Sequence, residues 1–563
     1  MNKNLAFTDY MVFIVYFIIV AGYGYSIYLK RKKNEHDAKA FFLAEGTLTW
    51  WAIGASLIAS NISAEQFIGM SGEGFFLGVA VAAYEWIAAI ALIVVAVWFI
   101  PVYIKNKIYT MPQFLTQRYN ESVALIMAIF WLFLYVFVNL TSILYLGAVA
   151  INGLAGGQYM HVIMVGLAIF ALLISLGGMK VVAYTDVIQV AVLIFGGLVT
   201  SYIALTVVGD KFGGGGAIAG FKELLHQAPE HFKMIIPKPG PGAVQNDIDK
   251  YITFPGFLSY LAGIWIINLN YWGCNQYITQ RALGAELETA RTGILFAGFL
   301  KLLMPLIVML PGIAAFVLYK GGHLPQLVGG KDGAYSAVLT FLPTGLKGLS
   351  VAALTAAIVA SLAGKVNSIS TIFTLDIFKK YFNKEADEKK LEKTGRVVVF
   401  VAMIIAVIFT WSDILGIGGK GGFTFIQQYT GYISPGVFAM FVLGMFWRRT
   451  TGAAAIAGVI TGFVLSVLFN EFAPQLFGNE TFLYTAYHTL KNGKDVYVIP
   501  FHICMGLSFL FTMIVMVTMS LAGPKVNPKA FVLDKGMFKL SPKSMALIMV
   551  TVLLIAALYV KFW

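Results

Sequence analysis

Apolar runs of 18 or more residues recur along the whole chain, and each is long enough to cross a hydrocarbon core roughly 30 Å thick. The pattern predicts fourteen spans, at 9–29, 50–73, 77–104, 122–152, 158–178, 181–207, 254–280, 289–320, 347–379, 394–417, 423–447, 452–470, 498–522 and 541–562. Two of them carry polar residues where lipid would penalise them. The second runs through Ser56, Ser60, Asn61, Ser63, Glu65 and Gln66, and the seventh through Asn268, Asn270, Asn275 and Gln276 around Trp272-Gly273. Such segments face a protein interior or a water-filled cavity. Each also opens a block of five spans, 50–207 and 254–447. Interrupted helices at corresponding positions of two halves point to an inverted-repeat transporter with its site near the midplane. Polar helix-packing positions are the structural alternative.

Between the spans, 208–252 reads as a long outside loop with Gly213 to Gly216 and a Pro/Gly-rich stretch. A short surface helix is expected within 321–346, and 471–497 is polar and aromatic. The chain is therefore read as a single transmembrane domain: a leading helix at 9–29, two repeats, and three trailing helices over 452–562.

Composition sharpens this. Apolar residues make up 59% and charged residues 12%, about half the usual charged share. The net charge of +13 does not imply nucleic acid, because the basic residues sit in short loops between spans, where they set topology. Their distribution places both termini outside. Lys30 to Lys33 after the first run mark a retained span with a cytoplasmic stop, not a signal peptide. Cys274 and Cys504 lie in apolar runs and read as small buried hydrophobes. The membrane is the expected partner, with neither nucleic acid nor an obligate protein partner indicated.

Ionisable residues expected inside the membrane, away from span ends, are few: Glu65, Glu85, Asp186, Lys301, Lys365 and Asp376. A charge in a membrane is paired or serves a pathway. Glu85 and Lys301 meeting among amides and aromatics would suit a sugar, whose hydroxyls both donate and accept while an aromatic face covers the ring. A structural ion pair between helices is the alternative. No catalytic triad, metal spacing or phosphate loop occurs in the spans, and no filter-like repeated loop suggests a channel. The chain is read as no enzyme. A sugar sensor without flux would need the same pocket.

The string Ala59-Ser60-Asn61-Ile62-Ser63-Ala64-Glu65-Gln66-Phe67-Ile68-Gly69-Met70 resembles the solute:sodium symporter family. So do Tyr84-Glu85-Trp86, Val136 to Ser142, Thr185 to Gln189, Asn268 with Tyr271-Trp272-Gly273, Phe299 to Leu302, Ile372 to Thr374 and Gln427 to Pro435. The resemblance runs almost end to end. It implies an all-α, LeuT-like five-plus-five inverted-repeat core and sodium-driven import of a hexose of the galactose or glucose type across the inner membrane by alternating access. It further implies a sugar site at Asn61, Gln66, Glu85, Asn268, Lys301 and Gln427, with Tyr271 as an inner gate stacked on the ring. Met70, Tyr84 and Phe423 would form an outer gate, with Trp272 supporting the site.

Two departures from the family pattern matter. Ala88 stands where the family has a serine, three residues after the glutamate. The implied sodium ligands are carbonyls at Ala59, Ile62 and Ala357 and two consecutive serine hydroxyls, but those two positions are Ala360 and Ser361. Gly364 replaces a further serine, and Lys365 follows Ser361 by one helical turn. Lys365 either pairs with Asp186 as a structural residue or replaces sodium in a sodium-independent or proton-coupled transporter.

Overall fold

The computed structural model describes residues 5–563 apart from 32–48, 64, 109, 177, 178, 241, 276–278, 280, 281, 284, 325, 478–485 and 492–493. The major helices are α1 (Phe7–Arg31), α2 (Trp50–Asn61), α3 (65–77), α4 (83–105), α5 (Glu121–Leu154), α6 (Met160–Leu176) and α7 (Met179–Phe212). There follow α8 (Ile264–Cys274), α9 (Leu287–Lys301), α10 (Met304–Lys320), α11 (Leu346–Phe382), α12 (Glu388–Trp411), α13 (Gly422–Phe446) and α14 (Gly452–Leu476). The last two are α15 (Phe501–Leu521) and α16 (Pro542–Phe562). Among the described residues, nine helices are long and apolar enough to cross a membrane, or eleven if each of two bent pairs is one span. Among the described residues, the leading and fifth spans contribute the shorter apolar stretches Phe7–Tyr16 and Met160–Ser175. Length and hydropathy among the described residues do not confirm the predicted count of fourteen.

These interruptions position the site. The second predicted span ends at Asn61, Ile62 turns extended, and the helix resumes at Glu65 as a wide turn. In the seventh, Gln245–Ala262 and Ile264–Cys274 meet at 68°, and α8 stops where Asn275 becomes extended. The eighth bends by 42° between Lys301 and Met304. Pro305 explains this bend, since its ring displaces the hydrogen bond that the Lys301 carbonyl would accept. α9 packs against both α2 and the first part of α4, while α8 packs on α4 and α13. The α2–α9 crossing is close because both sides carry glycine: a Cβ on Gly54 would stand 2.7 Å from the Gly293 carbonyl oxygen, and one on Gly293 would stand 2.9 Å from that of Trp50. Asn61 and Lys301, at the ends of these helices, are brought together by that approach.

Helix ends are held by buried side chains. Asp9 Oδ1 accepts from the backbone N–H of Gly345 (2.7 Å) and Gly348 (3.0 Å), which caps α11 and docks α1 against it. Arg118, fully buried, donates to the carbonyls of Gly444 (2.6 Å), Trp447 (3.1 Å) and Thr450 (3.0 Å) and so caps α13.

The predicted ends shift in places. The tenth span, expected at 394–417, is Glu388–Trp411, so it starts within the charged stretch. The stretch 208–252 holds the helices Gly216–Gln227 and Gln245–Thr253. The helix expected in 321–346 is Ala334–Leu339. At the end of 471–497 and reaching Val498 lies a strand pair not foreseen, β1 (Tyr487–Lys491) and β2 (Lys494–Val498), antiparallel with Tyr487 opposite Val498.

Candidate functional site

The four helices α2, α4, α8 and α9 converge on Lys301. Its ammonium is buried, 2.5 Å from Glu85 Oε2, and it donates as well to Asn61 Oδ1. Asn61 Nδ2 in turn donates to the Tyr271 hydroxyl at 3.2 Å. The ammonium also lies 5.2 Å from the centroid of the Trp272 ring, which packs edge-on to Tyr271. Removing two charges from water is costly, and their attraction compensates only when geometry and further hydrogen bonds are good. Here one amide and one indole face complete the pair. Five of the residues singled out from the sequence therefore lie in one connected group.

Of the remaining polar candidates, Gln66 leaves a buried acceptor unused. Gln66 Oε1 is buried with no hydrogen-bond partner among the described residues. Asn268 turns its Nδ2 onto the carbonyl of Ile264 in its own helix, at 2.9 Å, and so does not join the Lys301 group. Gln427 is half-buried on α13, one turn beyond Phe423. A buried acceptor without a partner is costly. A ligand rich in hydroxyls is the chemistry that satisfies it.

Above this group one end of the bundle is closed. Tyr84 and Phe423 pack edge to face with centroids 5.1 Å apart, and Met70 has no exposed surface. A Cβ on Gly69 would stand 2.8 Å from Phe423 Cβ, so α3 and α13 touch here. The Tyr84 hydroxyl is 3.0 Å from His502 Nε2, whose Nδ1 lies 3.2 Å from Ser259 Oγ. His502 was not singled out from the sequence; a solitary imidazole just after Pro500, in an otherwise apolar run, was the only signal.

Of the residues implied for sodium, Ile62 and Ala357 are buried and Ser361 is half-buried; nothing is described of the Ala59 side chain. The pairing of Lys365 considered with Asp186 falls on a side chain outside the described residues. The Lys365 ammonium is 4.9 Å from the centroid of the Tyr135 ring, and the Glu65 carboxylate is its electrostatic neighbour. Tyr135 reaches Asn275 Oδ1 at 3.5 Å. Tyr135 was missed because a tyrosine in an apolar helix reads as packing.

Interrupted helices around a buried polar site, closed by aromatics at one end, define an inverted-repeat secondary transporter of the membrane. The family model described as "Sodium:solute symporter family" matches residues 41–462. The sodium/glucose cotransporter of Vibrio parahaemolyticus is 41% identical over 100% of this chain and 99% of its own length. The human sodium/myo-inositol cotransporter 2 is 34% identical over 83% of this chain and 70% of its own. A sodium-coupled sialic acid symporter, solved in a substrate-bound outward-open state, superposes with a TM-score of 0.70 over 93% of this chain at 19% identity, which shows the fold. The chain belongs to the sodium:solute symporter family. It is a sodium-coupled transporter of small solutes with a LeuT-like inverted-repeat core.

Proposed function

We propose that this protein imports a hexose of the glucose or galactose type by sodium symport with alternating access. The observation that carries the reading is the buried chain Glu85–Lys301–Asn61–Tyr271 beside the unpartnered oxygen of Gln66. It offers a carboxylate, an ammonium, amides and an aromatic face within one site, the set that a sugar ring needs. Glu85, Lys301, Asn61, Gln66, Asn268 and Gln427 contact the hydroxyls, and Asn268 rotates off its own helix to do so. Tyr271 covers the ring from below as the inner gate, Trp272 supports it, and Met70, Tyr84 and Phe423 form the outer gate. Identity to a sodium/glucose cotransporter supports glucose. Relatives that carry myo-inositol favour a second reading, a cyclic polyol, since such a ring presents the same alternating hydroxyls.

Sodium is assigned to carbonyls at Ala59, Ile62 and Ala357 with the Ser361 hydroxyl, at the end of α2, where the last carbonyls lack partners in their own helix. Lys365 is then a neighbouring structural cation held by Glu65 and Tyr135. The protein resides in an inner membrane with both termini outside, as its lysine and arginine distribution implies. Competition tests the substrate: unlabelled glucose, galactose and myo-inositol are titrated against labelled glucose uptake in proteoliposomes. The hexose reading expects a hexose to compete best; stronger competition by myo-inositol supports the second reading.

A further inference from the structure

A buried polar cluster stands over Phe423 without belonging to the solute site. Between α10 and α11 the chain forms a tight turn, Gly330–Gly333, wedged against α3 and the first turn of α13. Lys331 Nζ donates to Glu73 Oε1 at 2.7 Å, and Thr424 Oγ1 donates to the same oxygen. Asp332 Oδ2 accepts from the Gly422 N–H at 2.8 Å. Glu73 and Asp332 are each 1% exposed. The turn fits because Gly72 has no side chain: a Cβ there would stand 2.9 Å from the Lys331 carbonyl oxygen.

The placement gives the cluster its meaning. Glu73 follows Met70 by three residues on α3, and Gly422 and Thr424 flank Phe423 on α13. The turn therefore grips both sides of the place where α3 and α13 touch, Gly69 beside Phe423 and next to buried Met70, on the end of the bundle that the basic residues assign to the outside. α3 completes the first span of the first repeat, and α13 is the last span of the second. The cluster is also incompletely satisfied, because Glu73 Oε2 and Asp332 Oδ1 have no hydrogen-bond partner among the described residues. The Lys331 ammonium is bonded to one carboxylate, Glu73, and is an electrostatic neighbour of the other, Asp332. Burial of an ion pair contributes little net stability, since desolvation offsets most of the attraction, and water would satisfy these oxygens on opening. Such a cluster fixes position while remaining releasable.

We propose that Glu73, Lys331 and Asp332 are positioning residues of the outer gate: a latch that holds Met70 against Phe423 and separates when the solute path opens outward. This rests on the reading of Met70, Tyr84 and Phe423 as the outer gate. The test is the rate at which a membrane-impermeant thiol reagent, applied from outside, labels Met70→Cys; the two native cysteines, Cys274 and Cys504, are buried. The latch predicts slow labelling that rises roughly tenfold or more when Lys331→Met or Glu73→Gln is added, by a shift of population toward the open form. Lys331→Arg should keep labelling slow, and Lys320→Met, at an exposed lysine on the same end, should leave it unchanged. Labelling that stays slow in both latch variants overturns the latch, as does an equal rise in Lys320→Met. Fast labelling of Met70→Cys with the latch intact overturns instead the gate reading beneath it.

Discussion

The ammonium of Lys301 and the carboxylate of Glu85 meet at 2.5 Å although 216 residues separate them, and Asn61 and Tyr271 extend the contact to two further helices. The two interrupted segments are linked to each other by the Asn61–Tyr271 hydrogen bond and joined through Asn61 to this ion pair. Its position explains why the helices that carry it must break, bend or cross closely at these residues.

Removing one partner leaves the other charge buried and uncompensated, a cost of about 3–5 kcal/mol. Glu85→Ala and Lys301→Ala should each lower the amount of folded protein in the membrane and abolish uptake. The double variant Glu85→Gln/Lys301→Met should recover folded protein, measured by detergent-solubilised size-exclusion profiles, without recovering transport. Transport by the double variant would place the sugar elsewhere.

Single amide contacts act more gently. Gln66→Ala and Asn268→Ala should each weaken apparent sugar affinity by roughly tenfold, the worth of one hydrogen bond to a ligand in a dry site. Expression and melting temperature should be nearly unchanged. Concentration-dependent uptake measures both, and wild-type affinity in the two variants would remove them from the site.

The outer latch should respond to pH. Burial, with a smaller push from Glu73, raises the Asp332 carboxyl from 3.8 to about 7, although Lys331 and the Gly422 N–H pull the other way. The phenol of Tyr145 on α5, itself within electrostatic reach of Asp413, is a further titratable group facing it. A pKa raised in the closed form means that closure is favoured most at low pH and loses this contribution as pH rises through about 7. Acidifying the outside from about pH 8 to about pH 6 should therefore slow labelling of Met70→Cys. Asp332→Asn should flatten that response, and a response unchanged in Asp332→Asn would assign it to another group.

Arg118 tests the scaffold rather than the site. Replacing it with alanine leaves the carbonyls of Gly444, Trp447 and Thr450 without their donor and should cost about 3 kcal/mol. Thermal unfolding in detergent should fall by several degrees (roughly 2–4 °C or more for a chain of this size), with sugar affinity preserved in the folded fraction.

Much of this arrangement was legible in the sequence, for a physical reason. Lipid penalises unpaired polar groups so strongly that Asn61, Gln66, Glu85 and Lys301 stood out against apolar neighbours, and the string from Ser56 to Gln66 announced a broken helix. The rest depended on partners that no local pattern names. His502, Tyr135, Lys331 and Asp332 acquire their roles only from contacts with residues far away in the chain. The strand pair at Tyr487–Val498 is too short for periodicity to reveal, and the helices within 208–252 were hidden by their glycine-rich and proline-rich surroundings. The neighbours of Lys365, Glu65 and Tyr135, were not foreseen.

The most direct measurement is labelled glucose uptake into proteoliposomes with and without an inward sodium gradient, for the wild type and Lys365→Met. Sodium-driven accumulation by the wild type, retained in Lys365→Met, is the predicted result, with Lys365 as a structural neighbour of the cation site. Wild-type uptake indifferent to sodium, with dependence appearing only in Lys365→Met, would contradict it and place the lysine ammonium where the ion was assigned.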